Sequence, residues 1–266
     1  MKKEKLAAHT KRGLSVILGL CITSSLFLSG CGSQNKTQNE TQKKAQNETP
    51  KTPQQQADER RACVNNLKQI ELALLNYESA RKQFPPAYTT DASGKPLHSW
   101  RTLILPYMEG NNVYKKLKLN EPWNSPHNLA IFKNTPMEIY QCPADDQGDA
   151  TRTNYVMIVG PKCVSDGPHS CGFKKLRPKG SSNTGHVIET TLPIKWYEPK
   201  DLKAEEISFK INDPNSPGIG SKHPGYVVYS LCDASVLLLR EEVPPEKIRA
   251  LFDITDTSFN TDQLPH

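Results

Sequence analysis

The sequence predicts an α+β domain in which one long helix near the start packs on an antiparallel β-sheet with loop-rich insertions. Three observations predict it. Cys63, Leu67, Ile70, Leu74 and Tyr77 recur at spacings of four and three, which puts them on one narrow helix face. Short runs rich in β-branched and aromatic residues follow, divided by Gly, Pro, Asn and Asp, as in a meander of strands. A glycine-rich βαβ phosphate motif is missing, so nothing points to a parallel, doubly wound sheet.

The first 30 residues read as an export signal. A basic stretch from Met1 to Arg12 precedes an apolar one from about Leu14 to Leu28, which ends in small residues. The apolar stretch is too short and too rich in Ser and Thr to read as a spanning helix. The junction Leu28-Ser29-Gly30-Cys31 resembles a bacterial lipobox, where signal peptidase cuts before the cysteine. A cysteine suits that role because its thiolate is the nucleophile that accepts the lipid. Several fatty chains on one residue hold a membrane stably, where one chain binds marginally. Cys31 is thus the expected lipidation site and a membrane its expected partner. The expected location is the bacterial envelope, at the outer membrane or facing the periplasm. An ordinary secretory signal with a chance cysteine, or an uncleaved anchor, is the alternative. Gly32 in place of Asp resembles cargo released to the outer membrane.

Residues 32–57 are polar and low in complexity, with no large apolar side chain. Such a stretch cannot bury enough surface to offset chain entropy, so a disordered tether is expected. Roughly 26 flexible residues reach about 25–30 Å root-mean-square. Three Asn-x-Thr matches within it read as chance in a bacterial lipoprotein. The domain layout is therefore signal 1–30, Cys31 with its tether 31–57, and one globular domain 58–266.

The formal charge of +6 first suggests a polyanion binder, but its distribution removes that idea. The signal holds five cations against Glu4, and the tether four against Glu40 and Glu48. Residues 58–266 carry 25 charges of each sign, so no nucleic-acid partner is expected.

The helix is expected over 58–82, from an acidic start at Asp58 and Glu59 to Phe84-Pro85-Pro86. Asp91 to Pro96 is a turn. Residues 99–119 read as two short helices broken near Gly110, with a strand reading of 102–105 open. Glu121 to Asn128 is a proline-rich loop. Strands are expected at 138–141, 154–159 and 186–190, and a hairpin with arms 226–231 and 235–239. The last helix is expected at Pro245–Phe252, with proline at its start.

Several strings resemble one family. They are Cys63 with Asn65-Asn66-Leu67-Lys68-Gln69-Ile70, Phe84-Pro85-Pro86, Ser99-Trp100-Arg101, Leu105-Pro106-Tyr107-Met108-Glu109, Glu121-Pro122-Trp123-Asn124, Tyr140-Gln141-Cys142-Pro143, Thr153-Asn154-Tyr155, and His223-Pro224-Gly225 with Asp233. They run in order from about Arg60 to Phe252. The family is the pilin-like group called domain of unknown function 1559, also labelled solute-binding. The resemblance implies a pilin/pseudopilin-like fold and a disulfide between Cys63 and Cys142. It implies a non-catalytic envelope lipoprotein with a structural or protein-interaction role, at the cell surface or in the periplasm and acting on an envelope protein partner. An extracytoplasmic solute-binding lipoprotein is the alternative. The chain departs from the family where a hydrophobic assembly helix would stand, since a lipobox and tether replace it. That counts against a filament. Lys179-Gly180 and Asp233-Ala234 stand where the family has Asp-Gly, and Ala234 disfavours a positive φ, so another turn type is expected there.

Of seven cysteines, Cys21 leaves with the signal. Cys163 and Cys171 flank a short loop with Gly167 and Pro168 and are expected to pair. Cys232 is left as a buried thiol. No Cys-x-x-Cys pair or close Cys/His cluster marks a metal site, and no cofactor is expected. No catalytic residue is assigned. His223 with Asp233, or His186 with Glu189, are the acid–base pairs considered. Three apart on a strand, His186 and Glu189 should face opposite ways. The acidic turn Asp145 to Asp149 lacks EF-hand spacing and reads as solvated. Trp100, Trp123 and Trp196 read as core or loop anchors.

Overall fold

The long helix forms, and it starts earlier than its apolar period implies. In the computed structural model, which describes residues 50–145 and 148–265, helix α1 spans Pro53–Arg81. The export signal, Cys31 and the tether to Thr49 lie outside the described residues, as do Asp146 and Gln147. Thr52 caps α1. Its hydroxyl accepts from Gln55 N at 3.2 Å, and Gln55 Oε1 accepts from Thr52 N at 2.8 Å, with Pro53 in the first turn. The helix therefore begins inside the polar tract rather than at Asp58. It stops when Lys82 turns left-handed, at φ 62°, and donates its N–H to Glu78 O.

A small hairpin, β1 (Tyr88–Thr90) and β2 (Pro96–Ser99), closes over the expected Asp91–Pro96 turn. The short helices α2 (Trp100–Leu103) and α3 (Asn111–Tyr114) bracket the break near Gly110, so 102–105 is not a strand. Helix α4 spans Pro126–Lys133. Glu138–Tyr140 is a 3-10 turn, not the expected strand. Buried Tyr140 donates its hydroxyl to Arg101 O, a side-chain anchor that a sheet ladder does not need.

Strands β3 (Arg152–Val159), β4 (Ser165–Asp166) and β5 (His169–Ser170) come next, then the short helix α5 (Phe173–Leu176). Then follow β6 (Gly185–Lys195), β7 (Leu202–Lys203), β8 (Tyr226–Leu231), β9 (Val236–Arg240) and helix α6 (Pro245–Phe252). The seven-stranded sheet runs β5-β4-β3-β6-β8-β9, with β7 also on β3. Its long pairs, β3–β6, β6–β8 and β8–β9, are antiparallel, and only the short contacts of β4 and β7 with β3 are parallel. The fold is α+β.

Alternation along β3 shows how the sheet is covered on both sides. Tyr155 and Met157 join Cys63, Leu67, Ile70 and Leu74 under α1. Val156 and Ile158 join Ile248, Leu251 and Phe252 of α6 in a second cluster. Lys179 extends the second layer. The residue is 5% exposed, its ammonium donates to Ala250 O, Leu251 O and Asp253 O at the end of α6, and burial lowers its pKa to about 8. Lys179 thus caps the end of α6.

Cys63 and Cys142 are joined, with Cα atoms 5.2 Å apart, tying α1 to the loop before β3. Cys163 and Cys171 do not pair, contrary to expectation. In the β4–β5 hairpin Ser165 faces Ser170, and Cys171 N donates to Val164 O. Cys171 thus stands opposite Val164, and the two-residue period turns Cys163 to the other face. Cys171 packs under α1 and Cys163 in the second cluster. Cys232 is a fully buried thiol whose pKa burial raises.

Candidate functional site

The densest group of chemically capable side chains sits where α1, the loop before β3, β6 and the segment before β8 meet. Cys63 comes from the buried face of α1, Cys142 from the loop, Glu189 from β6 and His223 from the turn leading into β8. One ligand-capable atom from each lies within 4.8 Å of all the others. All four residues are buried.

Supports fix each member. Cys142 N donates to Asn154 Oδ1 at 2.9 Å, and Asn154 Nδ2 donates to Asp145 Oδ2 at 2.7 Å. His223 N donates to Ser221 Oγ, and its ring stacks on Tyr226 at 4.9 Å. His223 Nε2 lies 3.2 Å from Cys142 Sγ and 3.6 Å from Glu189 Oε1. Glu189 Oε2 accepts from Val228 N at 2.7 Å. Among the described residues Glu189 Oε1 has no hydrogen-bond partner, although the residue is 1% exposed. Burial raises the Glu189 pKa to about 8 and lowers that of His223 to about 4. At neutral pH both are uncharged, so their contact is not an ion pair.

The cluster has one wall on an open cavity of about 540 Å³. Cys142 lines it together with Glu138, Asp145, Asp149 and Arg152. Of the acidic turn, Asp149 is held by Lys195 and Thr151, which lower its carboxyl to about 2. A second cavity, of about 590 Å³, lies between α1 and the 88–119 segment. It is lined by Tyr77, Tyr107, Tyr114, Arg81, His98 and Leu119. A third groove runs between α1 and β9, where Arg60, Arg61 and Lys68 flank Val64, Val236 and Leu238.

The acid–base pairs considered from sequence rearrange. His223 precedes β8 and Asp233 follows it, where Asp233 caps the hairpin through Ser235 N. His186 Nδ1 meets Glu71 Oε1 at 2.6 Å, and Ser230 Oγ donates to Glu71 Oε2 at 2.8 Å, a fully buried tie between α1 and the sheet. His186 and Glu189 both reach the α1 side, because the pairing of β6 with β8 slips between Gly185 and Ile188. That irregularity resets the alternation assumed from spacing. Trp100 and Trp196 are core residues, and half-buried Trp123 packs on Tyr197.

A family model described as protein of unknown function (DUF1559) matches residues 55–186. Over that span the chain belongs to DUF1559. The DUF1559 match takes in α1, the disulfide and the start of β6, while Glu189 and His223 lie beyond it. No curated protein and no solved structure matches the chain.

Sequence spacing missed the cluster because its members stand at 63, 142, 189 and 223, on four separate segments. The available signals were single ones, namely Cys63 on the apolar helix face and His223 before a Pro-Gly turn.

Proposed function

We propose that this chain is a non-catalytic envelope lipoprotein, anchored through Cys31, whose pilin-like domain works by binding another envelope protein. The observation that carries this reading is the open edge at β9. Among the described residues, β9 pairs only with β8 in the seven-stranded sheet. Leu231 N bonds Ser235 O and Glu241 N bonds Gly225 O, so ladder alternation directs the backbone groups of Val236 and Leu238 outward. Beside that edge, Leu238 is 37% exposed and three cations line the groove with α1. An extended segment carrying acidic and apolar side chains fits by strand addition. The disulfide suits an oxidising compartment.

The test is site-specific photo-crosslinking from position 238 in cells, with Lys68→Glu as control. A discrete adduct that weakens in Lys68→Glu supports the reading, and no adduct above that from a distant surface position overturns it. Anchoring is tested separately. Cys31→Ala should move the chain from the membrane to the soluble fraction.

The cavity of about 590 Å³ favours a second reading, a small-solute binder. Its tyrosines offer ring faces, and the Arg81 guanidinium lies 5.9 Å over the Tyr77 ring. A thermal-shift screen with hexoses and aromatic carboxylates, repeated on Tyr107→Ala, tests it. A ligand-induced rise in Tm that Tyr107→Ala abolishes would favour it over strand addition.

A further inference from the structure

We propose that Cys63, Cys142, His223 and Glu189 form a tetrahedral divalent-metal site of the zinc type when the Cys63–Cys142 bond is opened. The proposal is independent of the edge-binding reading.

The geometry already suits a metal. Zinc bonds of about 2.0–2.3 Å make the edges of a ligand tetrahedron about 3.3–3.8 Å. His223 Nε2 to Glu189 Oε1, at 3.6 Å, is such an edge, and Cys142 Sγ to His223 Nε2, at 3.2 Å, needs to open only slightly. Once the sulfurs part, they need only separate to the length of such an edge. Two thiolates, an imidazole and a carboxylate are a zinc donor set.

The supports have the form of outer-shell partners. Val228 N holds one Glu189 oxygen and leaves Oε1 buried and unpartnered beside His223. A carboxyl oxygen buried this deep without a hydrogen bond is unfavourable, and a metal bond is one way to satisfy it. Asn154 and Asp145 hold the Cys142 backbone. Entry is available from the cavity lined by Cys142, whose wall also carries the Glu138 and Asp145 carboxylates.

The chemistry balances. A dithiol reductant gives two electrons and two protons to the Cys63–Cys142 bond. It becomes a cyclic disulfide and leaves two thiols. Metal binding then releases one proton from each thiol, and a third from Glu189 where it is protonated. Reoxidation by a disulfide oxidant, which takes the two electrons and is itself reduced to thiols, restores the Cys63–Cys142 bond and expels the metal. One covalent staple between α1 and the loop before β3 is thus exchanged for a coordinate one.

The test uses the full chain, first oxidised, then reduced with dithiothreitol and desalted without air. Each form is titrated with Co²⁺ and then Zn²⁺. The reduced chain should bind one Co²⁺, with thiolate-to-cobalt charge transfer and strong tetrahedral d–d bands, and Zn²⁺ should displace it. The oxidised chain should bind none. His223→Ala and Glu189→Gln should each weaken binding by about tenfold or more. The proposal is overturned if the reduced chain binds no Co²⁺, if both redox forms bind alike, or if His223→Ala binds as tightly as the parent. Circular dichroism covers loss of fold on reduction. A loss that Zn²⁺ reverses supports the site, and one that Zn²⁺ leaves unchanged overturns it.

Discussion

Replacing Cys63 and Cys142 together by Ala opens a link between residues separated by 79 positions. In the chain-entropy account, closing a loop of that size removes about 15 cal/mol/K from the unfolded chain, or about 4.5 kcal/mol at 25 °C. Both sulfurs are buried against α1 and β3, so the native state offers no slack to recover the loss. With a urea m value of about 2–3 kcal/mol/M, the midpoint should fall by about 1.5–2 M. The assay is equilibrium urea unfolding of the parent and double variant, followed by near-ultraviolet circular dichroism, without metal and with a chelator. The m value should rise, because the unlinked chain exposes more surface. A midpoint shift below about 0.5 M with m unchanged would refute the argument, since the link would not then be constraining the unfolded chain.

Asp201→Asn should cost about 3–5 kcal/mol in the same urea assay. It strands Arg101, which is fully buried and bonds Asp201 Oδ1 at 2.7 Å. Ala234 sits at φ 70° in the β8–β9 turn, despite the sequence expectation of another turn type. Ala234→Gly should therefore raise stability by about 0.5–1 kcal/mol, read as a higher midpoint. Glu189→Gln should change the pH profile of Tm. With its folded pKa raised from 4.5 to about 8, Glu189 binds more protons folded than unfolded in that window, so stability falls as pH rises through it. His223, lowered from 6.5 to about 4, binds fewer protons folded, so its contribution is lost as pH falls below about 6.5. Between about pH 5 and 8 the advantage of Glu189→Gln over the parent should grow with pH, and a constant difference would refute the assignment.

The parts legible in the sequence are those set by local periodicity. The apolar face of α1 and the proline-started α6 follow directly from spacing. The hairpin β8–β9 is legible too, because two apolar arms flank a short polar turn. The start of α1 was hidden because Thr52, Pro53 and Gln55 form a capping box inside a Gln-rich tract whose composition argues for disorder. Residues 138–141 look strand-like from Ile139 and Tyr140, yet a buried hydroxyl contact with Arg101 O holds them in a 3-10 turn. The candidate metal cluster depends on tertiary pairing throughout. Glu189 faces α1 through its regular pairing with Tyr155, but only the fold brings Cys63, Cys142 and His223 to it, which no spacing rule shows.

The staple on α1 also decides how the domain meets force. Residues 53–62 precede Cys63 and, apart from a few half-covered positions, lie at the surface. A pull from the N-terminal side can peel these ten residues from helix to extended chain, a gain of about 2 Å each or about 20 Å in all. At Cys63 the load leaves the helix and passes through sulfur to Cys142, and so to the loop before β3. The remainder of α1 and its contacts with the sheet are bypassed. The helix start behaves as a short extensible fuse, and the disulfide as its mechanical stop.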